Sequence, residues 1–208
     1  MGNGIDINKI LVVGLQGSGK TYAVKKTFIE RDPYSFVIDV QKEYEDAPFR
    51  YIPKAADYKA ISAEMEQVIN RIIRPNCNVL ESKKRYSEAL NTVVFDEADA
   101  YFKAGQEMPH YAKRFFIDCR HLMLTNVISM SRRLMDINYY VRNTADYIIA
   151  FKQAGADDLN ILNKFSKGAK EVMQKEIDYD KHNFMVFDRS RAFEVCESWE
   201  DLTKIFNC

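Results

Sequence analysis

Gly14-Leu15-Gln16-Gly17-Ser18-Gly19-Lys20-Thr21 is the stretch of this chain whose residue types and spacing most directly imply chemistry. It follows the apolar run Ile10, Leu11, Val12, Val13 and precedes Tyr22, Ala23, Val24, Lys25, Lys26. That order of strand, glycine turn and helix start lets successive backbone N–H groups curl around a phosphate while the helix aims its positive end at the same place. The pattern predicts that Gly14, Gln16, Gly17, Ser18, Gly19, Lys20, Thr21 and Tyr22 bind a nucleoside triphosphate, taken as ATP. Lys20 is expected on the β- and γ-phosphates and the Thr21 hydroxyl on Mg²⁺. The plainer reading is a glycine turn feeding a helix, and the flanks on both sides argue against it.

A second apolar run, Val93, Val94, Phe95, ends in Asp96 and Glu97. An acid at the end of such a strand completes the Mg²⁺ shell in phosphate-loop enzymes, which is the role expected of Asp96. Glu97 leaves the strand on the other side of the backbone and can polarise a water against the γ-phosphate. A positioned base is worth ~10²–10⁴-fold in rate, so its presence favours hydrolysis over transfer to a small acceptor. The alternative for both acids is capping of the helix that follows. Asp96 to Asp99 spells Asp-Glu-Ala-Asp, the tag of a class of RNA helicases, but those enzymes close two recombinase-like domains and this length holds one.

The chain has 208 residues, 47% hydrophobic and 29% charged, with a formal net charge of +0. This composition predicts one globular α/β domain over 1–208, with a core at about 9–152 and C-terminal helices and a hairpin over 153–208. Zero net charge removes whole-molecule basicity as an argument for nucleic acid, so any polyanion contact must be local. Lys83, Lys84, Arg85 and the pair Arg132, Arg133 are the local clusters, and solvated faces are the plainer explanation for both. No apolar run approaches ~20 residues, which predicts no membrane span. The N-terminus has neither a signal-type apolar segment nor, at Asp6, the hydroxyl residue of a myristoylation signal. An intracellular protein is expected. Cys77, Cys119, Cys196 and Cys208 have no metal-ligand spacing and read as reduced thiols.

The elements that must position these residues alternate. A helix is expected over Lys20 to Glu30, a strand over Phe36 to Ile38, and an irregular stretch over Ala47 to Ala60 with Pro48 and Pro53. Ile61, Met65, Val68, Ile69, Ile72 and Ile73 recur at helical spacing up to Pro75, and Asn76 to Leu90 reads as a polar connection. Strands at Thr92 to Phe95, Val127 to Met130 and Tyr147 to Phe151 alternate with helices at Tyr111 to Leu124 and Ile137 to Val141. Asp157 to Lys175 reads as helix, Phe184 to Phe187 and Ala192 to Val195 as a hairpin, and Trp199 to Phe206 as a closing helix. Such alternation predicts a mainly parallel sheet with helices on both faces and a ligand at the carboxyl ends of the strands.

Four further stretches carry a resemblance. Phe36 to Tyr44, Phe-Val-Ile-Asp-Val-Gln-Lys-Glu-Tyr, resembles the second-strand signature of the HerA and FtsK superfamily of P-loop ATPases. Arg120-His121 before the strand Val127 to Met130 resembles the helix end that precedes that family's sensor strand, and Ser131-Arg132-Arg133 stands where many members carry Ser-Gln-Arg. Ile137 to Phe151 is similar to the tail before the family's last core strand. The likeness spans about 9–152 and is nearest to the viral genome-packaging ATPases. It implies a RecA-like P-loop NTPase fold of the ASCE type, with the sensor strand between the phosphate-loop strand and the acid-bearing strand. It also implies an oligomeric ring acting on double-stranded DNA, packaging into a capsid, and capsid or portal-vertex partners. Location would then be the host cytoplasm, with virion association.

Within that resemblance Arg120 would reach a neighbouring subunit's nucleotide as an arginine finger, with Arg142 and Arg133 as competitors and a surface salt bridge as the alternative. Arg132 departs from the usual glutamine. A guanidinium accepts no hydrogen bond, so Ser131, or Ser129, becomes the expected polar sensor. Tyr101, Phe102 and Lys103 would either line a pore or join the core. A P-loop kinase for a small acceptor and an ATP-gated assembly module remain as the other function classes.

Overall fold

The computed structural model describes residues 7–54, 57–82, 90–122 and 124–206. Strands β1 (Asn8–Val13), β2 (Ser35–Ile38), β3 (Phe49–Tyr51), β4 (Thr92–Phe95), β5 (Asn126–Ser131), β6 (Tyr147–Ala150), β7 (Phe184–Phe187) and β8 (Phe193–Cys196) form one 8-stranded sheet in the order β3-β2-β4-β5-β1-β6-β7-β8. Pairing is parallel from β3 to β6 and antiparallel across β6, β7 and β8. The mainly parallel sheet and the C-terminal hairpin are thus as expected, and the sensor strand β5 lies between β1 and β4.

The central strands are continuous apolar runs because both faces are covered. Along β1, Leu11 and Val13 enter one core with Phe95, Ile148 and Ala150, while Ile10 and Val12 enter the other with Val94, Ile128 and Ile149. Parallel registry, Val13 with Ser131 and Phe95 with Ser129, brings the carboxyl ends of β1, β4 and β5 to the same edge. Gly14 N donates to Ser131 O (3.3 Å) and Asp96 N to Ile38 O (3.0 Å), so the segments that leave these strands start from fixed positions.

Helices α1 (Lys20–Val24), α2 (Tyr58–Ser82), α3 (His110–Asp118), α4 (Tyr139–Thr144), α5 (Ala156–Phe165), α6 (Ala169–Lys175) and α7 (Trp199–Phe206) flank the sheet. Several boundaries differ from the sequence expectation. The first helix changes to a π-helical turn over Lys25–Ile29, with Glu30 N donating to Lys25 O at 3.0 Å. The stretch 47–60 is not wholly irregular, since β3 pairs with β2 as a short edge strand. Helix α2 does not stop at Pro75 but runs to Ser82. Its apolar stripe, Met65, Val68, Ile69 and Ile72, is already buried there, and buried Asn76 fixes the continuation by donating to Leu90 O (3.0 Å) and Leu122 O (2.6 Å). Those contacts offset the ~3 kcal/mol a helical proline costs. Lys83, Lys84 and Arg85 lie outside the described residues. The expected helix over 157–175 is two, α5 and α6, divided at Gly168, which has φ 89°. In the β7–β8 turn, Asp188 Oδ1 accepts from Ser190 N (2.7 Å) and Ala192 N (3.1 Å), the local bonding that makes aspartate a turn residue.

Candidate nucleotide site

The phosphate loop turns between β1 and α1, and two of its glycines are required by their neighbours. A Cβ on Gly14 would lie 2.5 Å from Phe151 Cβ and 2.7 Å from Ser18 Oγ; one on Gly17, at φ +77°, would lie 2.3 Å from Tyr179 Oη. Lys20 Nζ folds back over the loop and donates to Gly14 O (2.6 Å) and Leu15 O (3.0 Å). Burial lowers its pKa, while the Glu97 charge works in the other direction. Ser18 Oγ is buried with no hydrogen-bond partner among the described residues.

Opposite the loop, Asp96 is 3% exposed and accepts one long hydrogen bond from Gln41 N (3.4 Å). Burial, reinforced by the Glu97 charge, pushes its carboxyl up to about 7. Glu97 has φ 45° and ψ 51°, a left-handed conformation that is uncommon for a non-glycine residue and turns its side chain away from the strand. Its Oε1 accepts from Arg132 Nε at 3.2 Å. Lys20, Thr21, Asp96, Glu97, Ser131 and Arg132 all line one small cavity of about 70 Å³ at the strand ends. The two sequence motifs, 75 residues apart from Thr21 to Asp96, therefore face each other across the space a terminal phosphate would need.

Sequence reasoning missed the part played by the loop after β2. Buried Asp39 accepts from Glu43 N (3.0 Å), Tyr44 N (3.0 Å) and Arg50 Nε (2.7 Å), closing that loop into a fixed turn. The turn presents Glu43, whose Oε2 accepts from the Thr21 hydroxyl at 2.9 Å, and Tyr44, whose hydroxyl donates to Met130 Sδ at 3.0 Å. Lys25 Nζ also donates to Glu43 O. The Asp and Glu-Tyr of Phe36 to Tyr44 were visible as a motif; what they bond to was not.

The other expected residues separate by position. Ser131 lines the small cavity and donates to Arg133 O (3.0 Å), whereas Ser129 Oγ is buried with no partner among the described residues. Arg133 is committed to buried Asp158 (2.9 Å), and half-buried Arg142 donates to Leu134 O (3.0 Å). Arg120 sits in the 3₁₀ turn Cys119–His121, exposed and hydrogen-bonded to His121 Nε2 (3.1 Å); among the described residues no carboxylate pairs with it. The aromatic pair after the acids belongs to the core. Tyr101 and Phe102 are both 0% exposed and pack on Phe95, and the Tyr101 hydroxyl donates to Asp96 O (2.7 Å).

The donor set fits a Mg²⁺ ion. Among the described residues no cluster of three or more His, Cys, Asp or Glu side chains could enclose a metal. Mg²⁺ bound with a nucleotide needs no such cage, because it keeps several waters and takes one or two protein oxygens plus phosphate. Thr21 Oγ1, Glu43 and Asp96 converge on one cavity, and a buried carboxylate with a single long hydrogen bond is short of positive charge.

Sheet order, phosphate loop and acid-bearing strand together define a P-loop NTPase of the RecA-like type. No protein-family model matches the chain, and no curated protein matches it in sequence. Solved structures match its fold. The DNA-packaging ATPase B204 of Sulfolobus turreted icosahedral virus superposes with a TM-score of 0.72 at 20% identity, covering 93% of this chain and 98% of that one. The genome-packaging NTPase B204 of Sulfolobus turreted icosahedral virus 2, in complex with ATP-gammaS, gives 0.68 at 21% identity with the same coverage. The pCW3 conjugation coupling protein TcpA with ATPgS gives 0.62 at 13% identity, covering 94% of this chain and 64% of that one. The resemblance expected from the motifs therefore holds at the level of the fold.

Proposed function

We propose that this chain is an ATP-hydrolysing motor that moves double-stranded DNA, packaging a viral genome into a capsid as an oligomeric ring. The observation that carries the reading is the single cavity lined by Lys20 and Thr21 on one side and Asp96 and Glu97 on the other. The likeness over 93% of the chain to viral packaging ATPases adds the genome-packaging part. In this reading the loop amides and Lys20 hold the β- and γ-phosphates. Thr21 and Asp96 hold Mg²⁺, which when bound neutralises phosphate charge. Glu97 accepts the proton of the attacking water as its oxygen bonds the γ-phosphorus and the bond to ADP breaks. Ser131 contacts the γ-phosphate, and Arg120 supplies charge to the site of a neighbouring subunit in the ring. A kinase for a small acceptor fits less well, because Glu97 occupies the place from which water is activated.

ATP hydrolysis measured with and without double-stranded DNA, at several salt concentrations, together with the assembly mass in ATP, tests the reading. DNA stimulation that fades as salt rises is the expected result. Turnover indifferent to DNA in every assembly state would remove the motor; phosphorylation of a nucleoside or nucleotide would replace it with the kinase. The site has no membrane component, and no described helix is long and apolar enough to cross a bilayer. Action in the host cytoplasm, on capsid or portal-vertex proteins, completes the proposal.

A further inference from the structure

A second cavity, about 710 Å³, opens beside the phosphate loop and shares Gly17, Lys20 and Thr21 with the small phosphate cavity. Its size falls within the ~300–1,000 Å³ of small-molecule sites. A molecule whose phosphates lie in the smaller space runs on into the larger one. The larger is walled by aromatic side chains from distant parts of the chain: Tyr22 of α1, Phe151 after β6, His182 and Phe184 at β7, and Trp199 of α7. Phe151 and Phe184 form its floor in mutual contact, with centroids 4.7 Å apart. Tyr22 is left 57% exposed at the start of α1, an unusual place for a large ring unless something covers it.

The segment that brings His182 there is fixed to the phosphate loop itself. The Tyr179 hydroxyl donates to Gln16 O at 2.7 Å. His182, held at φ 54°, places its Cβ 3.4 Å from where a Cβ on Gly19 would stand. Lys152 Nζ, next to Phe151, anchors the end of α6 by donating to Met173 O (3.0 Å), Gln174 O (3.3 Å) and Ile177 O. These contacts set the cavity wall in register with the loop before any ligand arrives.

We propose that this cavity receives a purine nucleoside, with Tyr22, His182 and Trp199 contacting the base, so that the C-terminal hairpin region and α7 set nucleotide selectivity. The inference rests on the phosphate-loop reading above and adds the substrate class to it. Purines are favoured because flat aromatic walls reward the larger ring system through stacking.

Titration calorimetry of the full chain with ATP and with inorganic tripolyphosphate, both with Mg²⁺, separates the two readings. Wild type should bind ATP at least ~10-fold more tightly than tripolyphosphate, the scale of one stacked base. In the His182→Ala/Trp199→Ala double variant ATP affinity should fall to that of tripolyphosphate, whose own binding stays unchanged. Equal affinity of wild type for both ligands, or a double variant that keeps its preference for ATP, overturns the nucleoside site and leaves the phosphate site standing. Failure of wild type to bind either ligand overturns both. Photolabelling of wild type with 8-azido-ATP gives a readout independent of variant folding. Label is expected on peptides containing Tyr22, His182 or Trp199, and label confined elsewhere sinks the proposal.

Discussion

Arg132 Nε lies 3.2 Å from Glu97 Oε1, and this contact joins the end of the sensor strand to the residue assigned to water activation. The guanidinium is 45% and the carboxylate 18% exposed, so solvent screens the pair and its worth to stability is small. Its consequence is geometric. Glu97 already carries a left-handed backbone, and Arg132 adds a second constraint on where the carboxylate points.

Three substitutions in this site should therefore separate. Glu97→Gln keeps the side chain's shape but removes its basicity, so ATP stays bound while turnover falls ~10²–10⁴-fold. Lys20→Ala removes the ammonium from the phosphates and costs nucleotide affinity. Arg132→Ala leaves the base in place but unrestrained, and its loss in kcat is smaller than that of Glu97→Gln. Steady-state kinetics with equilibrium ATP binding checks all three; similar residual turnover in Glu97→Gln and wild type would remove Glu97 from the chemistry.

Asp96 gives a pH signature. Its carboxyl rises from 3.8 to about 7 because of burial and the adjacent Glu97 charge. Between those values the metal-free folded chain holds more protons than the unfolded chain. Stability contributed by the protonated group is therefore lost as pH climbs from about 4 to about 7, at up to ~1.4 kcal/mol per unit. Asp96→Asn removes that buried charge. Without metal its Tm should exceed wild type at pH 8 and match it near pH 4, while Mg²⁺-dependent hydrolysis is lost at both. Thermal melts in EDTA across that range measure the difference, and a lower Tm at pH 8 for the variant would contradict the electrostatic account.

The arginines sort by what already holds them. Arg133 is bound to buried Asp158 and Arg142 to Leu134 O, which leaves exposed Arg120 as the one of the three whose guanidinium can reach another molecule. Arg120→Ala should be inactive alone, and Lys20→Ala likewise. Mixed together they should recover part of the activity, because each subunit supplies what its neighbour lacks. Absence of recovery in co-assembled rings would put Arg120 out of the active site.

Much of the site was legible because the loop and its acids are contiguous motifs whose chemistry depends on local spacing. Gly14 to Thr21 and Asp96-Glu97 needed only two strands to end at one sheet edge. What stayed hidden depends on long-range pairing. The edge strand β3 has one exposed and two half-buried residues and no apolar run to announce it. The cavity beside the loop draws Tyr22, Phe151, His182 and Trp199 from four separate elements, and no spacing rule links them. Pro75 misled because a proline ends a helix only when nothing beyond it is worth burying; here Asn76 bonds two carbonyls from elsewhere in the chain.

The least legible contact also gives the last prediction. Asp39 is 0% exposed and bonds Arg50 of β3, so the edge strand holds the loop that presents Glu43 to Thr21. Arg50→Ala leaves a buried carboxylate with only the two backbone donors, Glu43 N and Tyr44 N. Losing a charged partner from a buried carboxylate costs ~3–5 kcal/mol when nothing else remains, and the two amides reduce that to roughly 1–3 kcal/mol. The Tm should drop by several degrees. The loop should also loosen around Thr21, raising KM for Mg²⁺-ATP more than it lowers kcat, since Glu97 and Lys20 are held by other elements. Arg50→Lys, which retains charge but not the guanidinium geometry, should recover part of the Tm and part of the affinity. A Tm loss with KM unchanged would mean that β3 supports the sheet and not the site.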